Sequence, residues 1–317
     1  MHIRKAVITA AGRGMRLYPV ANTVQKAMLP IVDRDGLTKP VMQIIAEEAF
    51  ASGIDDICVV CAPGDETHYR DQFRALRANL LTAHQGVEWA DAQRQCIDRL
   101  LGSLHFAVQA DPLGYGHAVA CARDFCGDEA FLLLLSDHVY VSHAAQRCAQ
   151  QVIALAQQTR GPVAAVQATR EHLIRNYGTL TGRHEPNFSQ VYRIERILEK
   201  PSITLAETTL VTPGLRAGHY LCFFGMHVLV PRLFALLERQ LAGAAQGPND
   251  YQLTPALHEL ATQERYLALE VRGARYDIGQ TYGLLQAQIA LGLAGAHRDR
   301  VLTTLTEQLL ERQGREG

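Results

Sequence analysis

The sequence predicts an α/β fold, with a mostly parallel central sheet covered by helices on both faces. Apolar runs of strand length alternate with stretches of helical periodicity, the pattern left by strands buried between crossover helices. Some of these runs end in glycine-rich or acidic turns, as strands do at the crevice of an open α/β sheet. The 317 residues, 48% of them hydrophobic, suffice for one large domain or two smaller ones.

The first run, Ala6-Val7-Ile8, reads as a buried strand of β-formers. Thr9, Ala10, Ala11, Gly12 and Gly14 follow it, and such small side chains let backbone N–H groups approach an anion. Arg16 and Lys26 add positive charge, so the stretch reads as a phosphate cradle with two cationic clamps. A Gly-x-Gly after a strand is, by itself, equally a tight turn. Asp33 to Gly36 is a polar turn, and Pro40 opens a helix that buries Val41, Ile44, Ile45 and Ala49 and stops at Ser52-Gly53. Ile57 to Val60 is the second buried strand. Cys58 and Cys61 flank it as C-x-x-C, but a period of two sends them to opposite faces, so buried reduced thiols are the better reading. Glu66 to Thr82 is a helix with Tyr69, Phe73, Leu76 and Leu80 at core spacing. Gln85 to Leu101 has no clear period and reads as a partly helical excursion.

Phe106 to Gln109 is a strand that runs into Gly114, Gly116 and His117, a glycine-rich turn that opens a helix. Gln109 offers a donor and an acceptor, which suits the imide edge of uracil or thymine. A capped helix start with a buried His fits the same spacing. Phe131 to Leu135 leads to Asp137, a carboxylate at a strand end that either holds a hard divalent cation or caps the next turn. His138 reads as a surface or turn residue, not a ligand. A helix from about Ala144 to Thr159 and a strand at Val163–Val166 follow. Glu199-Lys200-Pro201 ends another strand; Glu199 can accept from sugar hydroxyls and Lys200 can pair with a phosphate, though an ion pair at a strand end is the plainer reading. Asp250 is a candidate helix cap. Beyond Gly295, Val301, Leu302, Leu305 and Leu309 mark an amphipathic helix over 296–317, set to dock on the 1–295 domain or on a second copy.

A net charge of −1 and a pI near 6.9 give no global electrostatic case for nucleic acid or an anionic membrane, so any anion site is local. No apolar run approaches the roughly 20 residues that span a bilayer, and the N-terminus lacks a signal-peptide core. With seven scattered cysteines, these features point to a cytoplasmic protein.

Ala11, Gly12, Gly14, Arg16, Pro19, Lys26, Met28, Leu29 and Pro30 together resemble the N-terminal signature of the sugar-1-phosphate nucleotidyltransferases, most closely the bacterial UTP–glucose-1-phosphate uridylyltransferases. Met15, Ala21, Asn22, Gln25 and Ala27 depart from it, standing for Thr, Thr, Lys, Pro and Glu. Further along, Gln109 to Ala118, Phe131 to Asp137, Asn176 to Thr179, Glu199 to Pro201, Ala217 to Tyr220, Asn249 to Thr254 and Tyr276 to Gly279 resemble family segments in the same order, with Ala110 replacing a glycine. The resemblance implies a Rossmann-like mixed, mostly parallel sheet of the nucleotide-diphospho-sugar transferase type. It implies a reaction in which a sugar-1-phosphate attacks the α-phosphorus of an NTP, UTP favoured, and pyrophosphate leaves. Arg16 and Lys26 would then hold the triphosphate. Ala11, Gly12, Gly14, Gln109, Gly114, Gly116 and His117 would hold the nucleotide, and Gly178, Glu199, Lys200 and Gly218 the sugar phosphate. Asp137 and Asp277 would bind Mg2+. Thymidylyl transfer, another hexose-1-phosphate, and a non-catalytic nucleotide-sugar-binding regulator are the alternatives. An NAD-binding oxidoreductase fits poorly, since Gly12-Arg13-Gly14 lacks the third glycine of the dinucleotide fingerprint.

Overall fold

The architecture was taken from a computed structural model, which describes residues 1–12, 24–243 and 251–313. Gly14 and Arg16 lie outside the described residues. The chain starts with β1 (Lys5–Thr9), the hairpin β2 (Pro30–Val32) and β3 (Thr38–Pro40), α1 (Val41–Phe50) and β4 (Asp56–Cys61). Gly36, at φ +84°, makes the hairpin turn, and Pro40 is the N-cap of α1. Then come α2 (Asp65–Ala83), α3 (Glu88–Ser103), β5 (Leu104–Val108), α4 (Tyr115–Ala120), α5 (Arg123–Cys126), β6 (Phe131–Leu135), β7 (His138–Ser142) and α6 (Cys148–Thr159). After these follow β8 (Val163–Arg170), β9 (Gly178–His184), β10 (Val191–Glu199), α7 (Ile203–Thr209), β11 (His219–Leu229) and α8 (Arg232–Gly243). The last elements are α9 (Thr254–Gln263), β12 (Leu267–Glu270), β13 (Gly273–Asp277), α10 (Gly283–Leu293) and α11 (Arg298–Gln313).

Nine strands form one sheet in the order β5-β4-β1-β6-β11-β8-β12-β10-β9. The β5-β4-β1-β6 half is parallel, in line with the expectation, and its connections carry helices. The other half is not. There β11 runs antiparallel to β6, β8 and β9, β10 runs antiparallel to β9 and β12, and only β8 and β12 are parallel. The expectation of a mostly parallel sheet is therefore corrected to a mixed one. One of the antiparallel pairs has a local reason: β9 and β10 are joined by a short turn with Asn187 and Gln190 at positive φ, too short for a parallel crossover.

Alternation along each central strand builds two cores. Ala6, Ile8, Ile57, Val59, Leu132 and Leu134 face α1 and α6, whereas Val7, Cys58, Val60, Phe131 and Leu133 face α4, α8 and α9. Both faces are thus covered, and each fully buried Val, Ile or Leu contributes about 1.5–3 kcal/mol. Cys58 and Cys61 fall on opposite faces as their spacing requires, and all seven cysteines are free.

Two element expectations change. Gln85–Leu101 contains a regular helix, α3, whose Ala90, Ile97 and Leu100 reach the core. The α6 helix starts at Cys148 and not at Ala144, because the buried Glu48 of α1 reaches across to accept from Ala149 N at 2.9 Å. A carboxylate at that end is favoured by the helix dipole and satisfies an otherwise unpaired amide. At the other end of the chain α11 forms, but Leu302, Leu309 and Leu310 stay exposed on it. Asp250 lies outside the described residues, and the cap of α9 is Leu253.

Candidate active site

The carboxyl ends of the parallel strands converge on one crevice. Ala11 and Gly12 follow β1, Ala62 and Pro63 follow β4, Gln109 follows β5, and Ser136 and Asp137 follow β6. These residues line a cavity of about 580 Å³. A second cavity of about 530 Å³ lies against the antiparallel half, walled by Tyr177, Gly178, Glu199, Lys200, Arg275 and Asp277 among others. The two share Tyr115, Leu135, Asp137 and Gln252, so Asp137 stands where they meet.

In the first cavity a methyl group at Gly12 would meet nothing within 4 Å among the described residues. Lys26, on a short 3-10 turn (Lys26–Met28), reaches the same space, with its Nζ 2.7 Å from Asp137 Oδ2. Gln109 is buried, and its Nε2 donates to the Gly114 carbonyl at 3.1 Å and lies 3.1 Å from His117 Nδ1. With the amide hydrogens directed at the protein, Oε1 is the end suited to accept from an imide N–H. His117 Nδ1 also lies 3.0 Å from Asp111 O; it accepts from Gln109 when its ring hydrogen is on Nε2 and donates to Asp111 O when the hydrogen is on Nδ1, so it serves one of the two at a time. Gly114 and Gly116 prove to have a packing reason. A Cβ on Gly114 would lie 2.5 Å from Tyr251 O, one on Gly116 2.8 Å from Gln252 O, and Gly116 N donates to Tyr251 O at 2.7 Å. Their small size brings the segment before α9 onto α4, and the Gly116 amide is already used.

In the second cavity Glu199 Oε2 accepts from Thr254 Oγ1 at 2.6 Å, and Lys200 Nζ is 3.6 Å from Glu199 Oε1. Lys200 sits at φ +45°, a strained value for a side chain with a Cβ, at the end of β10. Gly178 is required by its neighbour, since a Cβ there would lie 2.7 Å from Phe223 Cδ2. Gly218 stands apart. It makes the turn into β11 at φ +72°, over Glu171, and is not a wall of this cavity.

Asp137, His138 and Asp277 can each aim one ligand atom so that all three lie within 4.8 Å of one another. The antiparallel pairing of β13 with β7 sets Asp277 directly opposite His138, and Ile278 N donates to Asp137 O. Asp277 itself accepts from Gly279 N at 2.9 Å and Gln280 Nε2 at 3.1 Å. Burial pushes the Asp137 carboxyl up, but the hydrogen bond and charge of His138 and the ammonium of Lys26 outweigh it and hold the acid well below the usual carboxylate range. An ionised carboxylate with a second one nearby fits a divalent cation. His138 corrects the sequence reading: it is 7% exposed, and its Nδ1 lies 3.0 Å from Asp137 Oδ1.

The sequence reading also passed over Arg275. Its guanidinium stacks 3.8 Å from the centre of the Tyr177 ring, and its Nη1 is buried with no hydrogen-bond partner among the described residues. The signal was present, since Arg275 lies two residues before Asp277 on one strand and so shares its face.

A crevice at the carboxyl ends of the parallel strands, with two carboxylates at its centre and Lys26, Lys200 and Arg275 on its walls, suits a protein that handles phosphates. The chain belongs to the nucleotidyl transferase family, whose pattern it matches over residues 5–292. It is 33% identical over 317 residues to the UTP–glucose-1-phosphate uridylyltransferase YngB of Bacillus subtilis (strain 168), covering 99% of this chain and 98% of that one. Its fold is similar to a UTP-bound UGPase from Acinetobacter baumannii, with a TM-score of 0.76, 25% identity, and coverage of 97% of this chain and 100% of that one. It is also similar to a UDP-glucose pyrophosphorylase solved with UDP-glucose, with a TM-score of 0.72, 26% identity, and coverage of 91% and 98%.

Proposed function

We propose that this protein forms UDP-glucose and pyrophosphate from UTP and glucose-1-phosphate. The observation that carries the reading is Asp137 at the junction of two cavities, one under the Ala11–Gly12 backbone and Gln109, the other beside Glu199 and Lys200. A phosphate oxygen of the sugar phosphate would form the new bond to the α-phosphorus, the α–β bridging bond would break, and pyrophosphate would leave with that electron pair. The attacking oxygen is already anionic, so no protein nucleophile or base is needed, and the chain's task is alignment and charge compensation. Gln109 Oε1 would orient the base, and Glu199, held by Thr254, would accept from sugar hydroxyls. Lys200 would neutralise the sugar phosphate and so reduce repulsion between two anions. Lys26, with Arg16, would face the triphosphate, and its pairing with Asp137 keeps it in the crevice until substrate binds. A divalent cation such as Mg2+, held by Asp137 and Asp277, would supply further charge compensation at the phosphoryl oxygens.

A cytoplasmic setting suits the reading, since all seven cysteines are free and no described helix is long and apolar enough to cross a membrane. The test is a matrix of NTPs against sugar-1-phosphates followed by pyrophosphate release. UTP with glucose-1-phosphate should turn over fastest. If no pair reacts while a nucleotide sugar binds in calorimetry, the enzyme reading falls and a binding protein remains.

A further inference from the structure

His138 has the position of a metal ligand. Within the crevice its Nδ1 is 3.0 Å from Asp137 Oδ1, and its backbone is paired with Asp277. Two ligands set at right angles on an octahedral cation, each about 2.1 Å from it, lie about 3.0 Å apart. Nδ1 and Oδ1 share a hydrogen bond, and 3.0 Å is equally the separation of two such donors, so a cation can take the place of the proton between them; a carboxylate oxygen of Asp277 lies within 4.8 Å of both. Oδ2 of Asp137 pairs with Lys26 and Oδ1 with His138, so a cation shared with His138 would sit on Oδ1.

The surrounding structure holds the ring in place. A register shift in β11 between Phe223 and His227 contains Gly225 at φ +79°. A Cβ there would lie 2.9 Å from Leu135 Cδ1 and 3.1 Å from His138 Cδ2, so the bulge leaves room for both side chains. The Tyr140 hydroxyl donates to Gly225 O at 2.9 Å and fixes the bulge.

Imidazole nitrogen is a borderline donor, whereas Mg2+ takes oxygen ligands and sheds its waters reluctantly. We propose that His138 is a third protein ligand of the site, which therefore takes a first-row transition cation, such as Mn2+ or Co2+, in preference to Mg2+. This rests on the placement of a cation in the proposed reaction, but its test contains no nucleotide.

The test titrates Mg2+, Mn2+ and Co2+ separately into the cation-stripped protein by calorimetry, and records pulsed EPR of the Mn2+ form for coupling to nitrogen. The wild type should show nitrogen coupling. In His138→Asp and His138→Gln the coupling should vanish, and the Co2+ to Mg2+ affinity ratio should drop about tenfold or more. Absence of nitrogen coupling in the wild type overturns the proposal whether or not the variants fold. So does an unchanged affinity ratio in a variant whose circular dichroism matches wild type. A protein that passes these tests yet turns over no NTP refutes the uridylyl reading alone.

Discussion

Asp137 is asked to do two things at once. It compensates Lys26 in a pocket where the two side chains are only 14% and 12% exposed, and in the proposed reaction it also holds a cation. Replacement by Asn should therefore act twice. Pyrophosphate release should fall by about a hundredfold or more, and denaturant stability should drop by about 1–3 kcal/mol because the Lys26 ammonium is left unpaired in a nearly dry site. Excess chelator should abolish turnover in the wild type, and full activity in chelator would remove the cation from the reaction. Lys200 differs, since its side chain is 58% exposed and its loss should leave stability unchanged. Lys200→Ala should lower kcat/KM for the sugar phosphate roughly tenfold to a hundredfold, as expected for a lost charge-assisted hydrogen bond. Unaltered kinetics for both substrates would make it a surface charge.

At the level of elements, the two cavities are joined by the contact of α4 with the start of α9. Gly116 permits that contact, because a Cβ there would lie 2.8 Å from Gln252 O and 3.1 Å from Tyr251 O, both backbone atoms that cannot rotate away. Gly116→Ala should push Thr254 from Glu199, cost about 1–3 kcal/mol, and raise KM for both substrates. An unchanged urea midpoint with normal KM values would show that the segment is free to adjust. The same elements show what a sequence can and cannot disclose. The parallel half was legible because each strand is a continuous apolar run that ends at a recognisable turn, from Ala6 to Gly12 and from Phe131 to Asp137. The antiparallel half was not, because pairing of β11 with three other strands is set by contacts far apart in sequence. His138 was misread for a related reason: its burial comes from β13 and the Gly225 bulge, neither of which is near it in the chain. Gly114 and Gly116 were visible as glycines, but the backbone that requires them lies more than a hundred residues away.

For the molecule as a whole, a buried titratable group among the described residues and away from the cation site is His227, near the end of β11. Burial pushes its imidazole down to about 3, and its Nδ1 lies 2.8 Å from the Tyr266 hydroxyl, where a neutral ring can accept the bond. The unfolded chain binds a proton there near the ordinary value of about 6.5. Its folded pKa lies below its unfolded one, so the unfolded state holds more protons at every pH between the two. Stability should therefore be undiminished above about pH 6.5 and fall progressively as the pH drops toward 3. At pH 5 this one group should cost about 2 kcal/mol relative to pH 7.5. His227→Gln keeps an acceptor for Tyr266 and removes the titration, so its loss of stability from pH 7.5 to pH 5 should be smaller by about that amount. Urea unfolding at a series of pH values reads the difference directly. Parallel pH profiles for wild type and variant would show that His227 is protonated in the fold or that the core admits water to it.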